Sequence, residues 1–242
     1  MKIVAKTDVG MVRESNQDSY TTGELPNGVA WAVVCDGMGG AAGGNVASST
    51  AVKVIAEQIT SSFRPGMSAN SIKNMMVSAI NAANISVYDI SCSNSELYGM
   101  GTTVVCAIVM EHTAYIAHAG DSRAYIVSHG ALTQLTCDHS VVQELVEHGK
   151  ITALEAKRHP NKNIITRAVG VSREILVDFS EQEMKDGDVL LLCTDGLTNF
   201  VESDEMCDLT KDDMFYEFAE RLVDRANKNG GGDNVTVVAV TY

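Results

Sequence analysis

The sequence is short of proline, of basic charge and of long apolar runs, and each shortage narrows what the chain can be. Only 3 prolines occur in 242 residues. No Pro/Ser-rich or low-complexity tract and no internal repeat interrupts the chain, so nothing in it reads as a linker. Lys and Arg number 18 against 31 Asp and Glu, a formal net charge of −13. A chain this acidic is repelled by phosphate backbones and anionic lipid, so neither nucleic acid nor a membrane surface is an expected partner. No stretch reaches the ~20 consecutive apolar residues of a membrane span. The opening residues MKIVAKTDVGMVRES hold neither an apolar core nor a small-residue cleavage site, so no secretory signal is read. The cysteines (Cys35, Cys92, Cys106, Cys137, Cys193, Cys207) form no C-x-x-C pair. They read as reduced thiols of a cytoplasmic protein, most of them small hydrophobes within apolar runs.

What is present is an ordinary globular balance, 45% apolar and 20% charged. Dividing the length by ~150 residues per domain leaves one large domain or two small ones. Without a linker, one domain over residues 1–242 is the expectation. At this size about 70–75% of the unfolded chain's surface can be buried.

Hydrophobic periodicity places the elements. Val29–Cys35 is a continuous apolar run bounded by turn residues, as a buried strand requires. Thr102–Met110 and Thr113–Ala119 are β-branched and alternating, with Glu111-His112 as a tight hairpin between them. Ser122–Val127 follows a Gly-Asp turn, so three strands are expected to run as a meander. Val189–Cys193 and Val235–Val240 are further strands, with Ile3–Lys6 and Ile175–Phe179 weaker. Helical stripes run through Ile72, Met75, Met76, Ala79, Ile80, Ala83 and Val87, through Phe215, Phe218, Ala219, Leu222 and Ala226, and through Ala47, Ala51, Val54 and Ile55. Strands in hairpins with few long helices predict antiparallel sheets with helices packed on them.

The informative residues are aspartates at strand ends. Asp36-Gly37 follows VAWAVVC, Asp195-Gly196 follows VLLLCT, Asp121 lies between two strands, Asp233-Asn234 precedes VTVVAV, and Asp18 follows Asn16-Gln17. Each alone is an ordinary turn residue. Together they are costly, because carboxylates at neighbouring central strand ends repel one another and lose water. A divalent cation would neutralise them. An all-carboxylate set favours Mg²⁺, Mn²⁺ or Ca²⁺ over Zn²⁺, although Cys35 and Cys193 stand close by in sequence. Strand alternation points Cys35 away from the side of the sheet that Asp36 faces. No EF-hand loop occurs. Arg13, five residues before Asp18, is either a bidentate grip for an anionic group or a surface arginine. The run Asp36–Asn45 is a phosphate cradle or a place of close backbone approach; it matches neither a Walker loop nor G-x-G-x-x-G.

The ordered set VGMVRESNQDSY, VVCDGMGG, GTT, AHAGDSRAY, LTCDHSVV, ITRAVG, LLLCTDGLTNFV and GGDNVTVV resembles the metal-dependent Ser/Thr protein phosphatases of type 2C in their compact bacterial form. The resemblance runs from about Thr7 to Val240, and eight motifs in order make it specific. It implies an α+β fold, a four-layer α-β-β-α sandwich of two antiparallel sheets flanked by helices. It implies that Asp36 bridges two Mn²⁺ or Mg²⁺ ions, that Gly37 offers its carbonyl to one, and that Asp195 and Asp233 hold the other. Asp18 would support a metal-held water, Asp121 would join Asp195 at a third, weaker metal site, and Arg13 would grip the phosphate. The segment at about 144–163 corresponds to a flap beside the active site. The implied activity is hydrolysis of phosphoserine and phosphothreonine in proteins by a metal-activated water. The implied partners are phosphoprotein substrates and a cognate Ser/Thr kinase, with the chain a monomer.

The chain departs from the family where a leaving-group acid is usual. Met38 stands where eukaryotic members carry His, and Ala41 and Asn45 stand where many bacterial members carry His and Glu. Water on the third ion, His139 or His159 are the alternatives for that proton, and both histidines read more readily as structural or solvated. A second function, from another class, is a catalytically weak regulatory module that binds phosphoproteins. Lost carboxylates would favour it, and all the matched ones are present. A metal-dependent nuclease is disfavoured by the charge and by the motif order.

Overall fold

The structure, a computed structural model, describes residues 1–209 and 214–242, with the side chains of all of these except Ala41 and Ala42. Among the described residues the strands are β1 (Lys2–Asp8), β2 (Asp18–Leu25), β3 (Val29–Met38), β4 (Gly101–Thr102), β5 (Val104–Met110), β6 (Thr113–Ala119), β7 (Arg123–Ser128), β8 (Ala131–Gln134), β9 (Asp178–Glu183), β10 (Val189–Cys193) and β11 (Val235–Thr241). The helices are α1 (Gly40–Ser62), α2 (Ala69–Ser93), α3 (Val141–Glu147), α4 (Ala153–Ala156), α5 (Asp195–Thr198), α6 (Ser203–Leu209) and α7 (Phe218–Lys228).

Two antiparallel sheets form, in the orders β1-β11-β10-β7-β8 and β2-β3-β5-β6-β9, with β4 paired to β3. The period-2 alternation of the strands sorts their side chains into layers. In β3, Ala30, Ala32 and Val34 face the second sheet together with Val105, Ala107, Leu190, Leu192, Val238 and Val240. The alternate residues Val29, Trp31, Val33 and Cys35 pack instead under the stripes of α1 and α2. On the other side Leu191, Cys193, Val237 and Ala239 pack under α7. Helix, sheet, sheet and helix therefore stack in four layers, with a thin inner layer rich in alanine and valine. Every residue of the Ile72 stripe is buried, and Asn84 joins it. Ser68 caps that helix by accepting the Ser71 N–H. Glu111 and His112 take φ of 48° and 61°, as a two-residue hairpin between β5 and β6 demands.

The structure corrects the expected topology at three points. β5 and β6 pair, but β7 leaves them and joins β10 and β8 in the other sheet, so the three strands are not one meander. The Gly120-Asp121-Ser122 turn is thus a crossing between sheets, which local strand propensity cannot register. Second, β2 and β8 are strands that the periodicity does not mark. Both are outermost in their sheets, and half-solvated edges tolerate the polar sequences DSYTTGEL and ALTQ. Third, the weak strand at Ile175–Phe179 lies later, at Asp178–Glu183.

Leu192 is fully buried between the sheets, whereas Leu176 is 73% exposed. Leu192→Ala should lower the unfolding free energy by about 2–5 kcal/mol, and Leu176→Ala by no more than about 0.5 kcal/mol. Chemical denaturation of the two variants checks this, and similar losses in both would contradict the layer assignment.

Candidate metal centre

The face that β3 turns toward the second sheet continues, past Ala30, Ala32 and Val34, to Asp36. Asp36 is not a turn residue: β3 runs through it to Met38. Its direct register partner is Asp18, the first residue of β2, so two carboxylates share one face of one strand pair. From the other sheet, β10 ends at Cys193 and Asp195 opens α5. Asp233 lies just before β11, and Asp121 lies on the crossing from β6 to β7. A cleft of about 600 Å³ at this end of the sandwich is lined by Asp36, Gly37, Asp121, Asp195 and Asp233 with Arg13. Asp18 does not line the cleft; it lies buried beneath it.

Short polar residues hold Asp18, Asp195 and the backbone of Asp36. Thr194 and Thr236 donate their hydroxyls to Asp18 Oδ2 at 2.9 and 2.7 Å. Asp18 Oδ1 is buried and has no hydrogen-bond partner. The Asp36 backbone is clasped by the Gly-Thr-Thr segment: its N–H donates to Thr103 Oγ1 at 3.0 Å, and its carbonyl accepts from Thr102 Oγ1 and the Thr103 N–H, each at 2.8 Å. Asn199 donates to Asp195 Oδ2 at 2.9 Å. Asn234 secures the loop that carries Arg13, accepting the Gln17 N–H at 2.8 Å and donating to the Val9 and Ser15 carbonyls at 2.9 and 3.0 Å. A Cβ on Gly37 would lie 2.1 Å from the Gly44 carbonyl oxygen and 2.6 Å from that of Gln17. Only glycine lets β3, α1 and that loop approach so closely, which decides the glycine run in favour of close approach.

Electrostatics show what the arrangement costs. Burial, and then the charges of the neighbouring aspartates, push Asp36 well above the usual carboxylate range and raise Asp195. Burial raises Asp18 and Asp121 to about 7, against the pull of the two threonine hydroxyls on Asp18. Crowded, desolvated carboxylates call for a counter-charge. Oxygen-only donors with one buried oxygen left unbonded suit a hard divalent cation. Arg13 supplies part of that charge, donating to Asp233 Oδ2 at 2.9 Å with its side chain 54% exposed. One group of three potential ligands among the described residues brings its atoms within 4.8 Å of one another, and it is His118, His139 and Asp178, outside the cleft. No three of the aspartates at the cleft come that close to one another.

The 144–163 segment carries α3 after its first residues, then α4, and reaches the cleft at its last residue, Asn163, with Ile165 just beyond. Among the described residues no histidine lines the cleft. His139 is held by the Gly120 N–H and Asp178, and His159 Nδ1 accepts the Asn161 N–H. Met38 lines the cleft, while the Ala41 side chain lies outside the described ones. Thr102, Thr103, Thr194, Thr236, Asn199 and Asn234 are the residues that motif reading did not single out. Their signal was proximity to the aspartates, in Gly-Thr-Thr, Thr-Asp-Gly-Leu-Thr-Asn and Asp-Asn-Val-Thr.

The comparisons agree with this geometry. The family model described as Protein phosphatase 2C matches residues 12–236. The chain is 38% identical over 236 residues to the serine/threonine phosphatase stp of Listeria monocytogenes, covering 97% of this chain and 93% of that one. It is 36% identical over 243 residues to the protein phosphatase PhpP of Streptococcus pneumoniae, covering 100% and 97%. Among solved structures, the serine/threonine phosphatase of S. agalactiae superposes with a TM-score of 0.93 at 32% identity, over 100% of this chain and 99% of that one. The catalytic domain of the serine threonine protein phosphatase PstP in complex with 2 manganese ions superposes with a TM-score of 0.85 at 33% identity, over 98% of this chain and 96% of that one. The chain belongs to the protein phosphatase 2C family. It is a protein-serine/threonine phosphatase, and its family is metal-dependent.

Two outcomes follow for protein kept in chelator. Asp18 and Asp121 titrate near 7 when folded against an ordinary 3.8. The folded state therefore holds protons that the unfolded chain has released, and stability falls as pH rises through that window. The melting temperature in chelator should be lower at about pH 7.5 than at about pH 5.5; a rise would contradict the crowding. At the higher pH Asp36→Asn removes a group whose ionised form the fold disfavours and should melt a few degrees, roughly 2–4 °C, above the parent, whereas a lower melting temperature would show that Asp36 is no electrostatic burden.

Proposed function

We propose that the chain hydrolyses phosphoserine and phosphothreonine in proteins with Mn²⁺ or Mg²⁺ seated at the carboxylates of the cleft. The observation that carries this reading is the set of crowded, half-buried aspartates around one cleft, with a buried Asp18 oxygen beneath them left unbonded. Asp36 and the Gly37 carbonyl, with Asp195 and Asp233, would hold the two core ions, and Asp121 with Asp195 a third, weaker one. Divalent ions bound there supply charge neutralisation at phosphorus and a nucleophile from water at neutral pH.

The chain's own residues do the rest. Arg13 is anchored to Asp233 through one amino group, and its exposed fork is free to take two phosphoryl oxygens in the cleft. Thr194 and Thr236 hold one oxygen of Asp18, which leaves the other to act upward. With no histidine lining the cleft among the described residues, the leaving oxygen takes its proton from water. A second groove shares Asp121 and Asp195 with the cleft and continues past Lys157, Arg158 and Lys162, giving room for the polypeptide that flanks the phosphorylated residue.

Residues 1–242 then form one catalytic domain with 144–163 as its flap. Such an enzyme acts opposite a Ser/Thr kinase, because only a kinase supplies its substrate. Among the described residues no helix is long and apolar enough to cross a membrane. The cysteines are all free, as a reducing compartment such as the cytoplasm would keep them. The chain is read as a monomer there.

A phosphothreonine peptide should release phosphate with Mn²⁺ and stop when chelator is added; release that ignores the chelator would refute the metal reading. Asp195→Asn should cut turnover by about 100-fold or more, since several kcal/mol of charge stabilisation is two or more decades in rate. Near-normal turnover would overturn the site assignment. Without a positioned acid, rates across a series of phosphate esters should fall steeply as the leaving alcohol becomes more basic; a flat series would reveal an acid in the cleft.

A further inference from the structure

His118, His139 and Asp178 lie beside the cleft, and the hydrogen bonds around them assign the ring nitrogens. His118 stands on β6 directly opposite Asp178 on β9, and its Nε2–H donates to the Cys137 carbonyl at 2.9 Å. Its ring stacks on that of His139, with centroids 4.7 Å apart and planes at 6°. His139 Nδ1 accepts the Gly120 backbone N–H at 3.1 Å, so that nitrogen carries no proton. The ring proton is on Nε2 and is donated to Asp178 Oδ2 at 3.2 Å. Arg167 holds the other Asp178 oxygen at 2.7 Å. A cation on His139 Nε2 would drive the ring proton to Nδ1, against the Gly120 N–H. Parallel stacked rings also aim their lone pairs side by side and not at one point. The group is a satisfied network, not a cation site.

What the network grips is the Gly120–Asp121 turn. His139 takes both backbone groups of Gly120: the ring accepts its N–H, and the His139 N–H donates to its carbonyl at 2.9 Å. Gly120 sits at φ +115°, where a Cβ would lie 2.7 Å from Thr103 Cβ. Arg123, two residues past Asp121, clasps Asp138 through bonds of 2.8 and 2.6 Å. The His139 carbonyl in turn accepts the Thr166 N–H at 2.7 Å. We propose that His139 is a positioning residue: kept in its Nε2–H tautomer by Asp178, it fixes the Gly120–Asp121 turn and so the direction in which Asp121 presents its carboxylate to the cleft. This rests on the reading of Asp121 as a ligand of the third, weaker ion.

Two substitutions separate the ring's two ends. His139→Asn keeps an acceptor near the Nδ1 position, whereas His139→Gln carries its amide out toward the Nε2 position and leaves the Gly120 N–H unpaired. Mn²⁺ binding followed by calorimetry reads the ions without turnover. His139→Gln should weaken the weakest Mn²⁺ step by about tenfold or more and leave the tighter steps within about twofold. His139→Asn should stay within about threefold of the parent at every step. Equal weakening in both variants, or none in either, overturns the proposal. Asp121→Asn distinguishes the two levels of failure. If it spares the weakest step, the ligand reading falls and the proposal with it. If it removes that step while His139→Gln does not, the positioning role alone falls. Should His139→Gln not fold, long-range ¹H–¹⁵N correlation NMR on the parent protein decides: a proton on His139 Nε2 is expected, and one on Nδ1 overturns the assignment.

Discussion

Like charge at close range, where water is scarce, is the constraint on which the rest of the structure depends. Asp18 and Asp36 face each other in register, and Asp36, Asp121, Asp195 and Asp233 line one cleft. None of these groups would choose such company in solution. The polar residues around them are answers to that cost. Hydroxyls from Thr194 and Thr236 satisfy one oxygen of Asp18, Arg13 faces Asp233, and the unbonded Asp18 oxygen is the part of the cost that the protein leaves unanswered. In the proposed function, divalent cations seated above it would answer that cost and turn an electrostatic burden into a binding site.

Holding repelling groups together requires stiff supports, and the four-layer fold supplies them. The carboxylates come from two different sheets, and the layer between those sheets is built mainly from small and β-branched side chains. Such a thin inner layer lets the ends of β3, β10 and β11 approach one another. The outer layers, α1 and α2 on one face and α7 on the other, supply the bulk of the apolar burial. Stability therefore resides mainly away from the cleft. The cleft itself spends some of that stability on charge crowding, as functional sites commonly do.

Much of this was legible in the sequence, and the reasons differ by element. β6 and β10 appear at the boundaries read from the sequence, because nearly every residue of each is buried and the apolar and β-branched runs stand out. The α2 stripe was legible because only one face of that helix is buried. The aspartates stood out because they follow such strands. β2 and β8 were not legible, since an edge strand shows only half a hydrophobic pattern. Because β2 was unmarked, the pairing of Asp18 with Asp36 could not be foreseen from periodicity. Nor could the departure of β7 to the other sheet, which depends on packing far from the turn. The sandwich itself came from the resemblance. The hydroxyl pair under Asp18, the Asn234 clasp on the Arg13 loop and the hold of Arg13 on Asp233 are matters of three-dimensional reach, which no spacing rule encodes.

The most direct test of the central claim is the anomalous scattering of a crystal grown with Mn²⁺. Peaks should lie within coordinating distance of the Asp36, Asp195 and Asp233 carboxylates and vanish after soaking in chelator. An empty cleft, or manganese bound instead at His118, His139 and Asp178, would contradict the account.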